Sequence, residues 1–299
     1  MQTVGMIGLG IMGSAMAANL VKAGYRVIGY DVLPARRRAH ARAGGIAAPS
    51  AREVGERAAI VICSLPSAAA LAATAAELAA QRGAARIVVE TSTLPIAAKE
   101  RARRRLEVTA ITLLDCPLSG TGSQARVRDI VVYASGPRAA YRRVGPVMDA
   151  FARARYYVGP FGAGSKTKYV ANLLVAIHNV AAAEALVLAM KAGLDPATTL
   201  KVVADGGGSS CMLQVRGPMM VRGDYSKPTM KLDVWQKDMR IIADFARHVG
   251  SPTPLFRATA PIYAAALAMG PAQDTGAVCS VLERMARVRR RKLNSLTAG

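Results

Sequence analysis

Carboxylates are scarce in this 299-residue chain: 19 Asp and Glu stand against 40 Lys and Arg, a net charge of +21. The deficit is evenly spread, with 10 acidic to 22 basic residues up to Ser165 and 9 to 18 after it, so no basic tail is appended to a neutral domain. Such a surface favours anionic partners without choosing among them. Rings are scarce too: 4 Phe, 1 Trp and 9 Tyr. The basic clusters Arg101-Ala-Arg103-Arg104-Arg105 and Arg287-Val-Arg289-Arg290-Arg291-Lys292 therefore lack interleaved aromatics. That limits a nucleic-acid role to weak, salt-sensitive contact.

Four cysteines (Cys63, Cys116, Cys211, Cys279) stand far apart, with no C-x-x-C and no histidine at zinc spacing. This pattern argues against a disulfide framework and a metal site, and points to a reducing, cytoplasmic setting. Long uncharged apolar runs are missing as well. Glu77 and Glu184 interrupt the two best candidates before the ~18 residues a membrane span needs. The N-terminus has no basic leader region, and Asn19 and Lys22 break the apolar stretch behind it, unlike a signal peptide. A soluble protein is expected. With 52% hydrophobic and 20% charged residues the composition is globular, and the length suggests two domains.

The first half alternates β-rich runs with alanine-rich helical stretches. Residues 3–7, 26–30, 59–64 and 86–90 read as buried strands, each followed by helix-length sequence, the rhythm of βαβ units on a parallel sheet. Residues 111–115, 130–134 and 155–158 read as further strands at the far edge. From Gly164 to Gly193 runs one long helical pattern, ~45 Å at 1.5 Å per residue, long enough to pass from one domain into the next. Asp195-Pro196 caps and starts another helix, residues 206–210 form a loop, and helices follow from Lys231, Pro252 and Asp274. The sequence thus predicts an α/β domain over 1–163 and an all-helical domain over 164–299.

Gly8-Leu9-Gly10-Ile11-Met12-Gly13 follows the first strand and opens the first helix. Gly8 permits a tight turn, Gly10 lets backbone approach a pyrophosphate, and Gly13 lets helix and strand pack closely. The diphosphate then meets the free N–H groups and positive end of the helix. Asp31 ends the second strand, where a carboxylate accepts hydrogen bonds from both ribose hydroxyls of NAD and repels the 2′-phosphate of NADP. Arg36-Arg37-Arg38, five residues on, is either a phosphate clamp or a solvated helix start. The balance favours NAD, with NADP possible.

Leu65-Pro66 and Thr91-Ser92-Thr93 sit at carboxyl ends of parallel strands, where ligands bind, although Pro66 also breaks a strand and Thr93 suits a helix cap. Asp115-Cys-Pro-Leu-Ser119-Gly120-Thr121-Gly122 ends a strand with a hydroxyl and glycines able to offer N–H groups to an anion. Lys168 and Asn172, four apart near the start of the long helix, share one face. A lysine in a cleft can pass protons at neutral pH, whereas one on an open first turn is merely solvated, as Lys166 is expected to be. The residues alone leave both readings of Lys168 open.

Four motifs in order resemble the β-hydroxyacid dehydrogenase family, which includes 3-hydroxyisobutyrate dehydrogenases and tartronate semialdehyde reductases and is related to 6-phosphogluconate dehydrogenase. They are the glycine-rich turn through Asn19-Leu20, Asp115 to Gly120, Gly162-x-Gly164-x-x-x-Lys168-x-x-x-Asn172, and Lys237-Asp238. The resemblance runs nearly end to end. It implies an α/β Rossmann-type N-terminal domain joined by a long interdomain helix to an all-α C-terminal domain for substrate binding and oligomerisation. It also implies hydride transfer between NAD(P) and a small β-hydroxy or 2-hydroxy acid or its semialdehyde. By this resemblance Lys168 is the catalytic lysine, Ser119 and Gly120 (with Thr121 beside them) hold the substrate carboxylate, and Asn172 orients the substrate. Leu65, Pro66 and Thr93 would touch the nicotinamide half, and Lys237 would close over cofactor and substrate.

The chain departs from the family at Ala171, Thr121 and Arg128, where an asparagine and two glycines are usual. The loop is therefore expected to suit a different acid, with Arg126 or Arg128 adding charge. Residues 216–218 and 229–233 look nearer to the reductase and sugar-acid branches (tartronate semialdehyde, glyoxylate, threonate) than to the hydroxyisobutyrate branch. An imine reductase shares the architecture but lacks the lysine, and a non-catalytic nucleic-acid platform does not need the Lys168–Asn172 pair. His178 and Trp235 read as core or interface residues. Apolar helix faces with too little to cover them suggest a homodimer or homotetramer.

Overall fold

In the computed structural model residues 1–80, 83–288 and 290 are described; Arg289, Arg291 and Lys292 of the last basic run lie outside them. The chain divides into two compact units, Met1–Ala171 and Asn172–Gly299. The division falls inside the long helix rather than at its start.

The first unit is built on one sheet. Strands β1 (Thr3–Ile7), β2 (Arg26–Tyr30), β3 (Ile46–Ala47), β4 (Ile60–Cys63), β5 (Ile87–Glu90) and β6 (Thr112–Asp115) run parallel in the order β3-β2-β1-β4-β5-β6. Strand β8 (Val131–Ser135) adds antiparallel to β6, β7 (Leu118–Ser119) lies antiparallel on β8, and β9 (Ala154–Gly159) pairs parallel with β8. The order reverses between β1 and β4, so their carboxyl ends flank the crevice where such sheets take ligands.

The strands are uninterrupted apolar runs because both faces are covered. Val4, Met6, Ile62, Val89 and Leu114 join one core cluster, while Ile7, Val61, Cys63, Val88 and Leu113 join the other. Helix α1 (Ile11–Lys22) lies over the first cluster, and α2 (Pro34–Arg42), α3 (Ala51–Arg57), α4 (Ala68–Ala80) and α5 (Ile96–Glu107) occur between the following strands. Two short edge pieces, β3 and β7, escape the sequence reading because two residues carry no periodicity. Helices α6 (Gly122–Arg126) and α7 (Arg138–Phe151) complete the unit.

Helix α8 (Ala163–Lys191) is close to the length expected from the sequence, and Gly193, at φ +79°, ends it. By length and composition alone it could cross a membrane: an 18-residue window reaches a mean hydropathy of 1.9. However, 44% of that window is buried inside the protein, with Ala176, Asn179, Ala183 and Leu186 among its interior residues, which makes it a core helix.

The second unit continues with α9 (Pro196–Asp205), α10 (Cys211–Arg222), α11 (Leu232–His248), α12 (Pro254–Met269), a 3-10 turn (Thr275–Ala277) and α13 (Val278–Met285). Asp195 caps α9 by accepting from the Thr198 amide at 2.7 Å, with Pro196 first in the helix, as expected. The sequence reading passed over α10, since Gly217-Pro218 looks like a break. A Cβ on Gly217 would come within 2.4 Å of the Leu200 side chain, so α10 packs closely on α9. Trp235 is buried against Tyr263, ring centroids 6.0 Å apart, in the core role expected of it.

A buried ion pair ties this unit together. Asp274 takes Arg216 Nε at 3.0 Å, the amides of Thr229, Met230 and Gly276, and the Thr229 hydroxyl. Burial alone would raise the Asp274 pKa, but Arg216 and these donors outweigh it and hold it below the usual carboxylate range. A depressed carboxylate contributes stability above its unfolded-state pKa and loses it as pH falls through the folded value. The helical unit is therefore expected to lose stability below about pH 4. Asp274→Ala, which leaves Arg216 buried and unpaired, is expected to cost about 3–5 kcal/mol in urea titrations at pH 7. A loss under 1 kcal/mol would contradict this account.

Candidate active site

The glycine-rich turn shows why its glycines stand where they do. Gly8 has φ +88° and donates its amide to Tyr30 O at 2.8 Å; a Cβ there would fall 2.1 Å from Ser64 O. A Cβ on Gly13 would meet Gly8 O at 1.8 Å, so α1 lies directly on the turn. Gly10 differs: the nearest atom to its imagined Cβ is Arg36 Nη1 at 3.9 Å, so its bare face is open. The first helical bond is Ser14 N to Gly10 O, which leaves the amides of Ile11, Met12 and Gly13 pointing out of the helix start without a helical acceptor. An open face beside three free donors fits a dinucleotide's diphosphate.

Asp31 is buried at the end of β2, bonded to the Leu9 amide at 2.8 Å through Oδ2 and the Leu33 amide at 2.9 Å through Oδ1. The Asp31 side chain is therefore fixed to the glycine turn itself. Of the three arginines that follow, Arg36 pairs with Asp31 at 3.2 Å, and Arg37 donates to the Asp31 carbonyl while lying 5.7 Å from the Tyr30 ring. Neither is simply a solvated helix start.

Beyond the strand ends, loops are cross-linked by buried groups, of which the sequence reading named Thr91, Ser92 and Asp115 but not Glu90 or Lys99. The Leu65 amide donates to Ser92 Oγ at 2.7 Å, and the Thr91 hydroxyl to Cys63 O at 2.7 Å; Pro66 is exposed and Thr93 half-buried. Beneath them Lys99, fully buried, reaches Glu90 Oε2 at 2.6 Å, Asp115 Oδ1 at 2.8 Å and Ser92 O at 2.7 Å. Burial alone would lower its pKa; the two carboxylates more than reverse that and hold it above the ordinary lysine value. Asp115 also accepts from the Ser135 hydroxyl at 3.2 Å and from the amide and hydroxyl of Ser165 at 2.7 and 2.8 Å.

The substrate-type loop leaves β7. Ser119 is half-buried, and Gly120, at φ +133°, leaves room for Ile130, whose Cγ2 would lie 2.6 Å from a Cβ. Thr121 also has a structural task. It is the N-cap of α6, in a capping box with Gln124, whose Oε1 accepts the Thr121 amide at 2.9 Å. A Cβ on Gly122 would lie 2.3 Å from Ile11, which packs this loop against the glycine turn; Asn19 Nδ2 to Ala125 O, 2.7 Å, reinforces that. Arg128 has φ +62°, a conformation costing a non-glycine residue roughly 1 kcal/mol. Its guanidinium donates to Asp149 O at 2.6 Å, so its charge is engaged at the end of α7 rather than free for a substrate.

Helix α8 begins under tight constraints. Gly162 has φ +92°, and a Cβ on Gly164 would come within 2.4 Å of Tyr133 O and 2.6 Å of Asp115 O. The Gly-x-Gly spacing thus seats the helix start on strand backbones. Lys166 is exposed, as expected; Lys168 is half-buried and Tyr169 buried, with its hydroxyl on Leu94 O at 2.5 Å. One turn further, Asn172 belongs to the second unit. Its Nδ2 donates to Asp238 Oδ2 at 2.9 Å, and Asp238 Oδ1 lies 3.4 Å from Lys237 Nζ, so Asn172 and the Lys237-Asp238 pair meet. Asp238 is a further polar member of this group. Among the described residues no cluster of three or more His, Cys, Asp or Glu could hold a metal ion.

Known proteins resemble this chain along nearly its whole length. The family model described as the NAD binding domain of 6-phosphogluconate dehydrogenase matches residues 3–159. The model described as NAD-binding of NADP-dependent 3-hydroxyisobutyrate dehydrogenase matches residues 162–282. An L-threonate dehydrogenase of Cupriavidus necator is 33% identical over 287 residues, 94% of this chain and 96% of that protein. A 3-hydroxyisobutyrate dehydrogenase structure from Salmonella typhimurium superposes with a TM-score of 0.82 at 31% identity, covering 94% of this chain and 100% of the other. The Mycobacterium tuberculosis 3-hydroxyisobutyrate dehydrogenase, solved with L-serine, has a TM-score of 0.85 at 29% identity over 94% of this chain and 99% of that one.

The glycines separate two effects. Gly13→Ala is expected to unseat α1 and abolish soluble folded protein, whereas Gly10→Ala keeps wild-type circular dichroism and thermal midpoint but weakens NADH binding at least about tenfold, ~1.4 kcal/mol. Unchanged NADH titration in Gly10→Ala would contradict the placement of the diphosphate.

Proposed function

The chain belongs to the β-hydroxyacid dehydrogenase family and is an NAD(P)-dependent hydroxyacid dehydrogenase, and from that premise we propose how its residues act and on which acids. What carries the reading is Lys168, half-buried in the early turns of a helix whose start is pinned to buried Asp115. A bound nicotinamide supplies a carbon that accepts hydride from the substrate's carbinol carbon. Lys168 takes the hydroxyl proton as the carbonyl forms, and returns it in reduction. Ser119 and the Gly120 backbone hold the substrate carboxylate, and Asn172, oriented by Asp238, aligns the hydroxyl-bearing carbon. Leu65, Pro66 and Thr93 face the nicotinamide half, Lys237 closes over cofactor and substrate, and residues 8–13 hold the diphosphate.

NAD is the preferred cofactor in this reading. Asp31 is held by two backbone amides and cannot turn away from a 2′-phosphate, a geometry that favours free ribose hydroxyls. The substrate is a small polyhydroxy acid of the sugar-acid branch. Support comes from the 33% match to an L-threonate dehydrogenase and from the remodelled loop at Thr121 and Arg128. The simpler β-hydroxy acids are the second reading, supported by the 3-hydroxyisobutyrate dehydrogenase structures.

A homo-oligomer and a cytoplasmic setting belong to the same proposal. Val170, Leu174 and Leu188 are exposed along α8, an apolar face that a second copy would cover. All four cysteines are unpaired, which suits a reducing compartment.

The test is initial rates over a panel of sugar acids, β-hydroxy acids and semialdehydes, with NAD and with NADP. Lys168→Ala is expected to lower kcat by about 10²–10⁴-fold with NADH affinity nearly intact. Asp31→Asn is expected to shift the NAD-to-NADP ratio of kcat/KM by at least about tenfold toward NADP. Wild-type turnover in Lys168→Ala would remove the lysine from the mechanism.

A further inference from the structure

Lys99, Glu90 and Asp115 are the most completely buried ionised groups of the first unit, and the reaction as described uses none of them. The Lys99 ammonium donates to Asp115 and to the Ser92 carbonyl and forms an ion pair with Glu90. Two carboxylates around one ammonium leave a formal excess of one negative charge. The groups facing that excess are the amide and hydroxyl of Ser165 in the first turn of α8, the Ser135 hydroxyl, and the Ser92 amide at 2.9 Å from Glu90 Oε1. A helix start carries partial positive charge, so the 29-residue α8 supplies the missing complement. A second arm runs through Ser92, whose hydroxyl holds the Leu65 amide. One ammonium therefore fixes the loop after β4, the loop after β5, the end of β6 and the beginning of α8.

We infer that Lys99 is a positioning residue for hydride transfer: with Glu90 and Asp115 it sets the seat of the first turn of α8, and so the place of Lys168, together with the loop carrying Leu65. This rests on the reading of Lys168 as the proton-transferring lysine. Ser165 and Lys168 are three residues apart on that helix, and Tyr169 anchors the next position to Leu94 O, so a shift at Asp115 is passed on rigidly to Lys168. A stable core alone does not require the charges, since apolar side chains of similar volume often replace buried ion pairs without loss of stability. Apolar side chains could not hold Leu65 N, Ser92 O and Ser165 N at once, because each needs a polar partner.

The test compares Lys99→Met, Lys99→Met/Glu90→Gln and Ser165→Ala in the full chain, with Lys168→Ala and Lys168→Arg as references. Steady-state rates and Tm are measured on unmodified protein. A second sample is reductively methylated with ¹³C-formaldehyde, and the Lys168 methyl resonance, assigned by its loss in Lys168→Arg, is followed against pH without cofactor. Lys99→Met is expected to lower Tm. The double variant, which returns the site to its native formal excess of one negative charge, now on Asp115 alone, is expected to recover most of it, yet to keep kcat at least about tenfold low with KM little changed and the Lys168 resonance shifted or split. Ser165→Ala, near the wild-type Tm, is expected to show the same pattern in milder form. Recovery of kcat together with Tm in the double variant, with a wild-type Lys168 resonance, would overturn the positioning role. Should Lys99→Met not fold, the other two variants decide. Full turnover in Lys168→Ala would instead remove the catalytic reading, and the positioning role with it.

Discussion

Taking an ammonium and two carboxylates wholly out of water costs several kcal/mol per ion before any pairing, and the first unit does so at the carboxyl end of its parallel sheet. Lys99, Glu90 and Asp115 sit where β5 and β6 end, and their remaining lone pairs are met by Ser92, Ser135 and Ser165. The location explains the chemistry. A parallel sheet takes ligands beyond its strand ends, so the loops there must be held from below without filling the crevice above them. Packed apolar side chains would exclude water but leave loop amides and carbonyls without partners. A compact cluster of charges supplies many directed bonds in little volume.

Backbone contact does the rest, and it explains which glycines the chain keeps at this edge. Gly13 lets α1 rest on Gly8 O, Gly122 lets the substrate-type loop rest on Ile11, and Gly164 lets α8 rest on Tyr133 O and Asp115 O. At each place a methyl group would push one element off another. Gly10 is the exception, since nothing in the protein crowds it, and the vacancy over its face is what a diphosphate requires. The second unit follows the same logic with its own buried acids: Asp274 gathers Arg216 and three backbone amides, while Asp238 joins Asn172 to Lys237.

The strands and turns of the first half were legible because burial on both faces makes apolar runs and because glycine spacing at β1 has few readings. What escaped was polar and buried. Lys99 begins the run Lys-Glu-Arg-Ala-Arg-Arg-Arg, and a charged run on a helix normally means a solvated face. Yet Ala98, Lys99, Ala102 and Leu106 form the buried stripe of α5, so the helical period does mark this one lysine as inward-facing. Thr121, placed beside Ser119 and Gly120 by the resemblance, carries a capping role that went unnoticed, although Gln124 three residues on is the signature of a capping box. Helix α10 was lost because Gly217-Pro218 punctuates local sequence, whereas the close approach of Leu200 to Gly217 is a tertiary fact. The pairing of Asn172 with Asp238, 66 positions apart, has no local signal at all.

The surplus of arginine also finds its place in the fold. Exposed carboxylates are largely taken up locally, as in Arg52–Glu56, Arg57–Glu53, Arg103–Glu100, Arg153–Asp129 and Arg155–Asp149. With 40 cations and 19 anions, pairing cannot continue. Several guanidiniums lie over rings, Arg103 and Arg155 in addition to their ion pairs: Arg37 on Tyr30, Arg103 on Phe161, Arg138 on Tyr157 and Arg155 on Tyr141, at 5.0–5.7 Å. Arg128 uses a helix-end carbonyl. These are partners that a planar, weakly hydrated cation accepts and a lysine ammonium satisfies less well. A chain with this charge balance therefore gains from using arginine, and the net charge needs no nucleic acid to account for it. For an anionic hydroxy acid the residual field acts over about one Debye length, ~8 Å at physiological salt. Long-range attraction can raise the local concentration of any small acid, but it does not select one. Selection among small acids falls instead to short-range contacts, where one methylene or one hydrogen bond decides.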